Sequence, residues 1–387
     1  DSGPGWRGVL LEELQEVLES PLQPYKFVPV ITTDDDGIEV SNIDFRQMLE
    51  LPIRMLTASE ILWRLETRHV GSFGEYESFL ESINWEHYFE ANASVKVRVQ
   101  SFRSAMYHEG KLEKIARLIL SNKGHGEKDS KYTIRVEQKE NRCSVYLALS
   151  ADPLFRRGYK IDYTHPAPLQ EHLAAAAIRW TCGNERPDLI YVPFAGSGTL
   201  VMESWLYEQR PALDIWRPLK SIESLPEFPM VTWKFFKTKL NIQRETVKAR
   251  AIEWDKKGIE VLAANLQHAE KSWPSIAGQW ETAGTDFLED KCPAGAKNIF
   301  VPLNPPYGLR LDGEDTQDLY LKLGTWLHEA FAPEQRRFGF VLLADSKAFH
   351  AFEKGVGSKH VGKILSFTQG GQHIRCVSFD VPAVSNS

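Results

Sequence analysis

The segment Phe300-Val301-Pro302-Leu303-Asn304-Pro305-Pro306-Tyr307-Gly308 joins an apolar run to an amide, two prolines and a phenol. That combination suits the exocyclic amine of a heteroaromatic ring. The nitrogen lone pair of such an amine is delocalised into the ring and must be turned toward an electrophilic methyl group before it can attack. The Asn304 side-chain oxygen and a proline carbonyl can accept the two N–H bonds. Pro305 and Pro306 stiffen the loop so that the acceptors are set in advance, and Tyr307 can stack on the ring. Neither a metal nor a strong base is needed, because the proton becomes acidic as the methyl transfers. A plain proline-rich turn is the alternative when this segment is taken alone.

Three upstream segments have the residue types of a nucleotide-cofactor site. In Pro193-Phe194-Ala195-Gly196-Ser197-Gly198-Thr199 the glycines let a ligand approach the backbone and expose amide donors at a helix start. It is not a complete dinucleotide fingerprint, since no third glycine follows at the required position. In Ala251-Ile252-Glu253-Trp254-Asp255 a strand ends in an acid, which can accept two hydrogen bonds from ribose hydroxyls or simply cap a helix. In Thr285-Asp286-Phe287 an acid can accept from an adenine amine while an aromatic ring packs on the base. Each is weak by itself, and their order ahead of Asn304 is the signal.

Four such segments act together only if a scaffold brings them to one place. From Leu173 onward the periodicity alternates: helix at 173–180, strand at 189–192, helix at 199–207, strand at 247–252, helix at 257–269, strand at 298–303. This is the pattern of an α/β fold with a doubly wound parallel sheet, in which ligands bind at the carboxyl ends of the strands. All four segments fall there. The first 150 residues read differently. An amphipathic helix covers 9–18, short strands 27–31 and 38–43 flank the turn Asp34-Asp35-Asp36-Gly37, and 46–65 has helix or strand-helix character. Val95 to Val99 alternates as a half-buried strand, 111–121 reads as a helix, and 132–136 pairs with 144–149 around Asn141. That half is a small α+β assembly, while Asp1 to Gly5 read as a processing remnant outside the fold.

The formal net charge of −6 argues against a nucleic-acid partner only as a chain-wide average. Residues 1–95 hold 6 basic against 18 acidic side chains, whereas residues 96–160 hold 15 against 7. The basic stretch, with Lys96, Arg98 and Arg103 at its start and Arg156 and Arg157 at its end, suits phosphate binding or a mixed solvated surface. No apolar run approaches 18 residues and no signal-peptide core opens the chain, so a cytoplasmic protein without membrane contact is expected. Cys143, Cys182, Cys292 and Cys376 form no CxxC pair, which points to reduced structural thiols and no metal site.

With these residues in view, the sequence resembles the THUMP-containing RNA methyltransferases, and among them the bacterial 23S ribosomal RNA guanine-N2 methyltransferases. Leu154-Phe155-Arg156-Arg157-Gly158-Tyr159-Lys160 is similar to that family's linker, and Ala167-Pro168-Leu169 with Leu173 to Ala176 to its helix start. Pro193 to Thr199, Glu253-x-Asp255 with Asn265, and Asn304 to Arg310 resemble its cofactor loop, ribose segment and catalytic loop. Phe367 to Gly371 with Ile374 to Val381 resemble its closing hairpin. The resemblance implies a Rossmann-like class I methyltransferase domain at 151–387, with a linker at 151–166, preceded by a ferredoxin-like domain at 1–55 and a THUMP RNA-binding domain at 56–150. It implies S-adenosylmethionine as cofactor, held by Pro168, Leu169, Pro193 to Thr199, Glu253, Trp254, Asp286, Phe287 and Asn304. It implies catalysis by Asn304, Pro305, Pro306 and Tyr307, and RNA contact by Lys96, Arg98, Arg103, Arg156, Arg157 and Arg310. The chain departs from the pattern at Val192, where the family has Asp, and at Ala195, Phe155 and Glu253. A ribosomal RNA guanine is the expected substrate. Transfer RNA guanine, adenine N6 and a non-catalytic RNA-binding assembly factor are the alternatives.

Overall fold

A computed structural model describes residues 5–24, 26–34, 37–150, 152–161, 169–216, 219–241, 245–306 and 313–384. In the front half, α1 (Arg7–Glu19) is followed by the hairpin β1 (Val30–Asp34) and β2 (Gly37–Ser41). The helix α2 (Phe45–Arg54) follows, started by a capping box in which Asp44 and Gln47 exchange side-chain and backbone hydrogen bonds. Next come β3 (Leu62–His69), α3 (Phe73–Ser82), β4 (Val95–Phe102), α4 (Glu109–Asn122), β5 (Tyr132–Lys139) and β6 (Arg142–Ala148), whose strands form a sheet in the order β3-β6-β5-β4. The expected alternation of β4 is present: Val95, Val97 and Val99 are buried, and Lys96, Arg98 and Gln100 stand on the open face.

The back half comprises α5 (Glu171–Cys182), β7 (Leu189–Pro193), α6 (Thr199–Gln209), α7 (Lys220–Glu223), α8 (Met230–Leu240), β8 (Lys248–Ile252), α9 (Lys256–Ser272), β9 (Trp280–Ala283), β10 (Asn298–Leu303), α10 (Gly313–Glu329), β11 (Arg336–Leu343), α11 (Ser346–Val356), β12 (Val361–Gln369) and β13 (Gln372–Val381). Its sheet runs β12-β13-β11-β10-β7-β8-β9. The strands β7, β8 and β10 are mutually parallel as expected, β9 and β11, which were not read from the sequence, extend the parallel run on either side, and the closing hairpin adds β13 antiparallel to both β11 and β12. Every residue of β7 is buried. Ile190 and Val192 pack with α5, α6 and α9, while Leu189 and Tyr191 pack on the opposite face with α10 and α11. A strand covered on both faces explains a continuous apolar run in place of alternation. On the second face α10 and α11 touch backbone to backbone. A Cβ on Gly324 would lie 2.6 Å from the Phe352 carbonyl oxygen and the Val356 nitrogen, and one on Gly355 would overlap the Leu321 carbonyl.

The two halves exchange segments. The front-half core takes in Leu219, Ile222, Leu225, Trp233 and Phe236 from α7, α8 and their flanks, tied down by Tyr132 Oη donating to the Ser224 carbonyl at 2.6 Å. In return Trp6, Val9 and Leu56 belong to the core beneath α5 and α6, where Trp6 meets Phe367 at 5.2 Å between ring centroids. Gly5 abuts the Ser366 backbone, so the fold begins inside the segment expected to be a remnant. The four cysteines are free thiols, and no described helix is long and apolar enough to cross a membrane.

The linker joins the halves through buried charge. Arg157 is 2% exposed, donates to the carbonyls of Leu154 and Leu56, and pairs with Glu203 of α6 at 3.4 Å. Tyr159 Oη donates to the same carboxylate at 3.0 Å, and Lys160 pairs with Glu171 at 2.8 Å. These contacts correct the expectation that Arg157 meets RNA: a guanidinium enclosed by two carbonyls and a carboxylate has no solvent face for phosphate. Burial pushes the Glu203 carboxyl up to about 7, against the opposing pull of Arg157.

Two outcomes are expected. Gly355→Ala should cost about 1–3 kcal/mol, because the helices must separate to admit the methyl group, read as a lowered denaturant midpoint. For Glu203, the folded carboxyl titrates above its ordinary value of 4.5. Its contribution to stability is therefore complete below that value and lost as pH rises toward neutrality. Glu203→Gln should flatten the decline in unfolding free energy between about pH 5 and about pH 7, a change on the order of 3 kcal/mol.

Candidate functional site at the carboxyl ends of the strands

The strands β7, β8, β9 and β10 end at Pro193, Ile252, Ala283 and Leu303, and the four expected segments begin there. The turn after β7 is held in a constrained shape. Phe194, Gly196 and Gly198 all have positive φ, at 59°, 53° and 89°. For Phe194, which carries a side chain, such a conformation costs about 1–3 kcal/mol. Three contacts offset the strain. Ala195 N–H donates to the Ile252 carbonyl at 2.9 Å, Gly196 N–H donates to Glu253 Oε2 at 2.9 Å, and the Phe194 ring packs on Phe287 at 4.8 Å. Asn265 of α9 closes the far side, its Nδ2 donating to the Ser197 carbonyl at 3.0 Å while its Oδ1 accepts Ile161 N–H at 2.9 Å. Gly198 starts α6 without a side-chain cap, so the first amides of that helix face the loop with no side-chain acceptor.

Glu253 is 7% exposed and also accepts Asp255 N–H at 3.2 Å. Asp255 turns away to cap α9 through Gly258 N–H at 2.7 Å, so the two acids of this segment have different tasks. Trp254 between them is 71% exposed. Asp286 is exposed and fixes its own turn by accepting Leu288 N–H at 3.0 Å, while Phe287 is buried against Phe194 and Trp326. After β10, Pro305 is buried and the Oδ1 of Asn304 is buried with no hydrogen-bond partner among the described residues. A buried carbonyl acceptor left empty costs roughly 1–3 kcal/mol and is retained where something else fills it. Leu169 sits in the core beneath α5. Pro168, Tyr307 and Arg310 lie outside the described residues.

A nucleoside cofactor bearing an amino acid fits these groups. Uncapped amides at the start of α6 suit its carboxylate, Glu253 suits a ribose, and Asp286 with Phe287 suits an adenine. The empty Asn304 acceptor adjoins them and suits the amine of a second base.

A cavity of about 620 Å³ opens elsewhere, on the front-half sheet. Lys96 and Arg98, both expected, line it together with Glu127, Lys128, Ser130, Thr133 and Asp152. The other cations of the basic stretch are partly spent on acids: Arg117 on Glu113 and Glu127, Lys131 on Glu90, and Arg135 on Glu60 and Glu137. Among the described residues no ion pair holds Lys96, Arg98 or Lys128. Arg103 is exposed just past the far end of β4, roughly 20 Å from Lys96 at the rise of a strand. Arg156 is exposed on the linker, beside the buried Arg157. Asn265 was legible as part of the ribose segment, but its role as a brace between loop and linker was not. Gly258, a glycine inside an amphipathic helix, was the visible signal of crowding at Glu253.

Residues 157–367, more than half of the chain, match the RMKL-like methyltransferase domain family. A Methylococcus capsulatus protein, ribosomal RNA large subunit methyltransferase K/L, is 25% identical over 92% of this chain and 50% of its own length. The protein of the same name from Legionella pneumophila is 27% identical over 62% of this chain and 34% of its own. The chain thus spans half or less of these curated relatives. Among solved structures, SMU.472 complexed with SAH has a TM-score of 0.79 at 17% identity, covering 100% of this chain and 97% of that one. The order of the seven strands, the constrained glycine turn and the match across 157–367 agree: this chain belongs to the RMKL-like methyltransferase domain family, methyltransferases that use S-adenosylmethionine on a Rossmann-like sheet.

Proposed function

We propose that this chain methylates the exocyclic N2 amine of a guanine in large-subunit ribosomal RNA. The observation that carries the reading is the Oδ1 of Asn304 at the end of β10, beside the glycine turn: it is buried and has no hydrogen-bond partner among the described residues. Bound S-adenosylmethionine would supply an electrophilic methyl group on a sulfonium. The work of this chain is to bind and orient. The uncapped amides at the start of α6 would hold the carboxylate, Glu253 the ribose hydroxyls, and Asp286 with Phe287 the adenine. Asn304 Oδ1 would accept one N–H of the target amine and a carbonyl of the following prolines the other, rotating the lone pair toward the methyl donor. The rigidity of Pro305 and Pro306 keeps both acceptors in place before the base arrives. The names of the two K/L relatives support ribosomal RNA, and adenine N6 is the competing acceptor for the same pair of oxygens.

The front half, read as a ferredoxin-like segment at 1–55 and a THUMP segment at 56–150, would grip the RNA by its backbone. The open face of β4 with Lys96, Arg98 and Lys128 suits that task, because an RNA duplex offers shape and phosphates rather than readable base edges. A target base would then be extruded into the site at the strand ends, as enzymes acting on bases require.

Labelled cofactor, unmodified ribosomal RNA and digestion to nucleosides test the assignment. N2-methylguanosine is expected, and label in N6-methyladenosine would replace guanine by adenine. Asn304→Ala should lower kcat by about 10²–10³ with little change in RNA affinity. The pair Lys96→Glu and Arg98→Glu should do the opposite, weakening RNA binding and reducing the salt dependence by about one ion per lost phosphate contact. Filter binding across a salt series reads this directly.

A further inference from the structure

We infer that Glu253 is the positioning residue of the cofactor turn, fastening Gly196 to the end of β8, and that Gly258 is glycine because a side chain there would push the Glu253 carboxylate off its partner. The inference rests on the reading of that turn as the S-adenosylmethionine loop.

The register sets the geometry. Pro193 pairs with Ile252, so Phe194 and Glu253 leave the sheet side by side. The turn is then caught at two successive amides by β8 and its extension: Ala195 N–H by the Ile252 carbonyl, Gly196 N–H by Glu253 Oε2, both at 2.9 Å. No carboxylate comes from β7 itself, because Val192 points into the apolar core beneath α5 and α6. An aspartate at 253 would be shorter by one carbon–carbon bond, about 1.5 Å, more than a hydrogen bond of normal length can absorb. Both Glu253 oxygens are engaged by backbone amides, at Gly196 and Asp255, which fixes the side chain without a cation.

Gly258 supplies the independent observation. A Cβ at this position would lie 2.7 Å from Glu253 Cγ, 3.1 Å from Cδ and 3.3 Å from Oε1. Those atoms are held at both carboxylate oxygens and cannot swing aside without releasing Gly196. Glycine is a poor helix former, and this one lies in the first turn of α9 where its N–H already serves the Asp255 cap. Its cost is explained by the side chain it admits. Two lone pairs on the carboxylate are used by amides, and the remaining pair is free for ribose hydroxyls. Sugar capture and turn geometry therefore act through one group.

Calorimetric titration with S-adenosylhomocysteine, together with amide hydrogen exchange of peptides covering 193–199 in the free protein, tests this on wild type, Glu253→Asp, Gly258→Ala and the double variant. Each single variant should bind about 10- to 100-fold more weakly and exchange faster across the turn, with RNA affinity unchanged. The double variant should be no worse than Glu253→Asp alone, because the contact with Gly196 that the added methyl group would break is already lost in the shorter acid. Additive losses, or unaltered exchange in Glu253→Asp, would overturn the inference. A wild type that binds no S-adenosylhomocysteine at millimolar concentration would defeat the functional reading instead, while the exchange comparison would still decide the role of Glu253.

Discussion

The parallel register of β7 between β8 and β10 is the constraint on which the rest depends. It buries β7 completely, fixes the level at which neighbouring strands end, and so places the residues after Pro193, Ile252 and Leu303 at one edge of the sheet. Parallel strands are joined by long crossovers, and the loops after β7 and β8 lead into the first turns of α6 and α9, while the loop after β9 returns to β10 without a helix. Binding groups and backbone donors therefore gather at the same edge for one topological reason. The strain in Phe194 is affordable only because β8 holds the two amides that follow it.

Much of this was legible in the sequence, for identifiable physical reasons. Strands such as Asn298–Leu303 declare themselves by an uninterrupted apolar run, and β4 by strict alternation, because burial on two faces or on one writes directly into residue type. The candidate site was legible because glycine, proline and acid at strand ends have few other uses in combination. What escaped is what depends on tertiary contact. Arg157 and Arg156 are neighbours of identical chemistry, yet one is enclosed by the Leu56 carbonyl and Glu203 and the other faces solvent. Nothing local distinguishes them. Likewise α7 and α8 follow α6 in the chain but pack with the front half, since Trp233 and Phe236 find their apolar partners across the boundary. The Glu253 contact with Gly196 spans two strands and left only the odd glycine at 258 as a trace.

A polar join between the halves is an unusual economy. Removing Arg157 and Glu203 from water is costly, and an apolar pair of similar size would stabilise the fold at least as well. An apolar join, however, tolerates sliding, whereas Arg157 must satisfy two carbonyls and one carboxylate at fixed angles. Tyr159 on the same Glu203 carboxylate adds a third direction. The contacts of Arg157 and Tyr159 with Glu203 thus link the two halves in defined directions.

That orientation has a use if a base must leave its stack and reach Asn304 while its backbone is held on β4. The distance between grip and site then has to be constant, because a short displacement at the reacting amine costs orders of magnitude in rate. A short path of chain and one buried ion pair connects the two places. Asp152 lines the cavity with Lys96 and Arg98, Arg157 lies five residues further along the linker, and Arg157 pairs with Glu203, one turn into the helix that begins at Thr199. Each step is short, buried or both, and no long unstructured segment intervenes between Asp152 and Arg157. On that proposal the linker would act as a strut between the face of β4 that carries Lys96 and Arg98 and the turn after β7, held by the contacts of Arg157 with Leu56, Leu154 and Glu203.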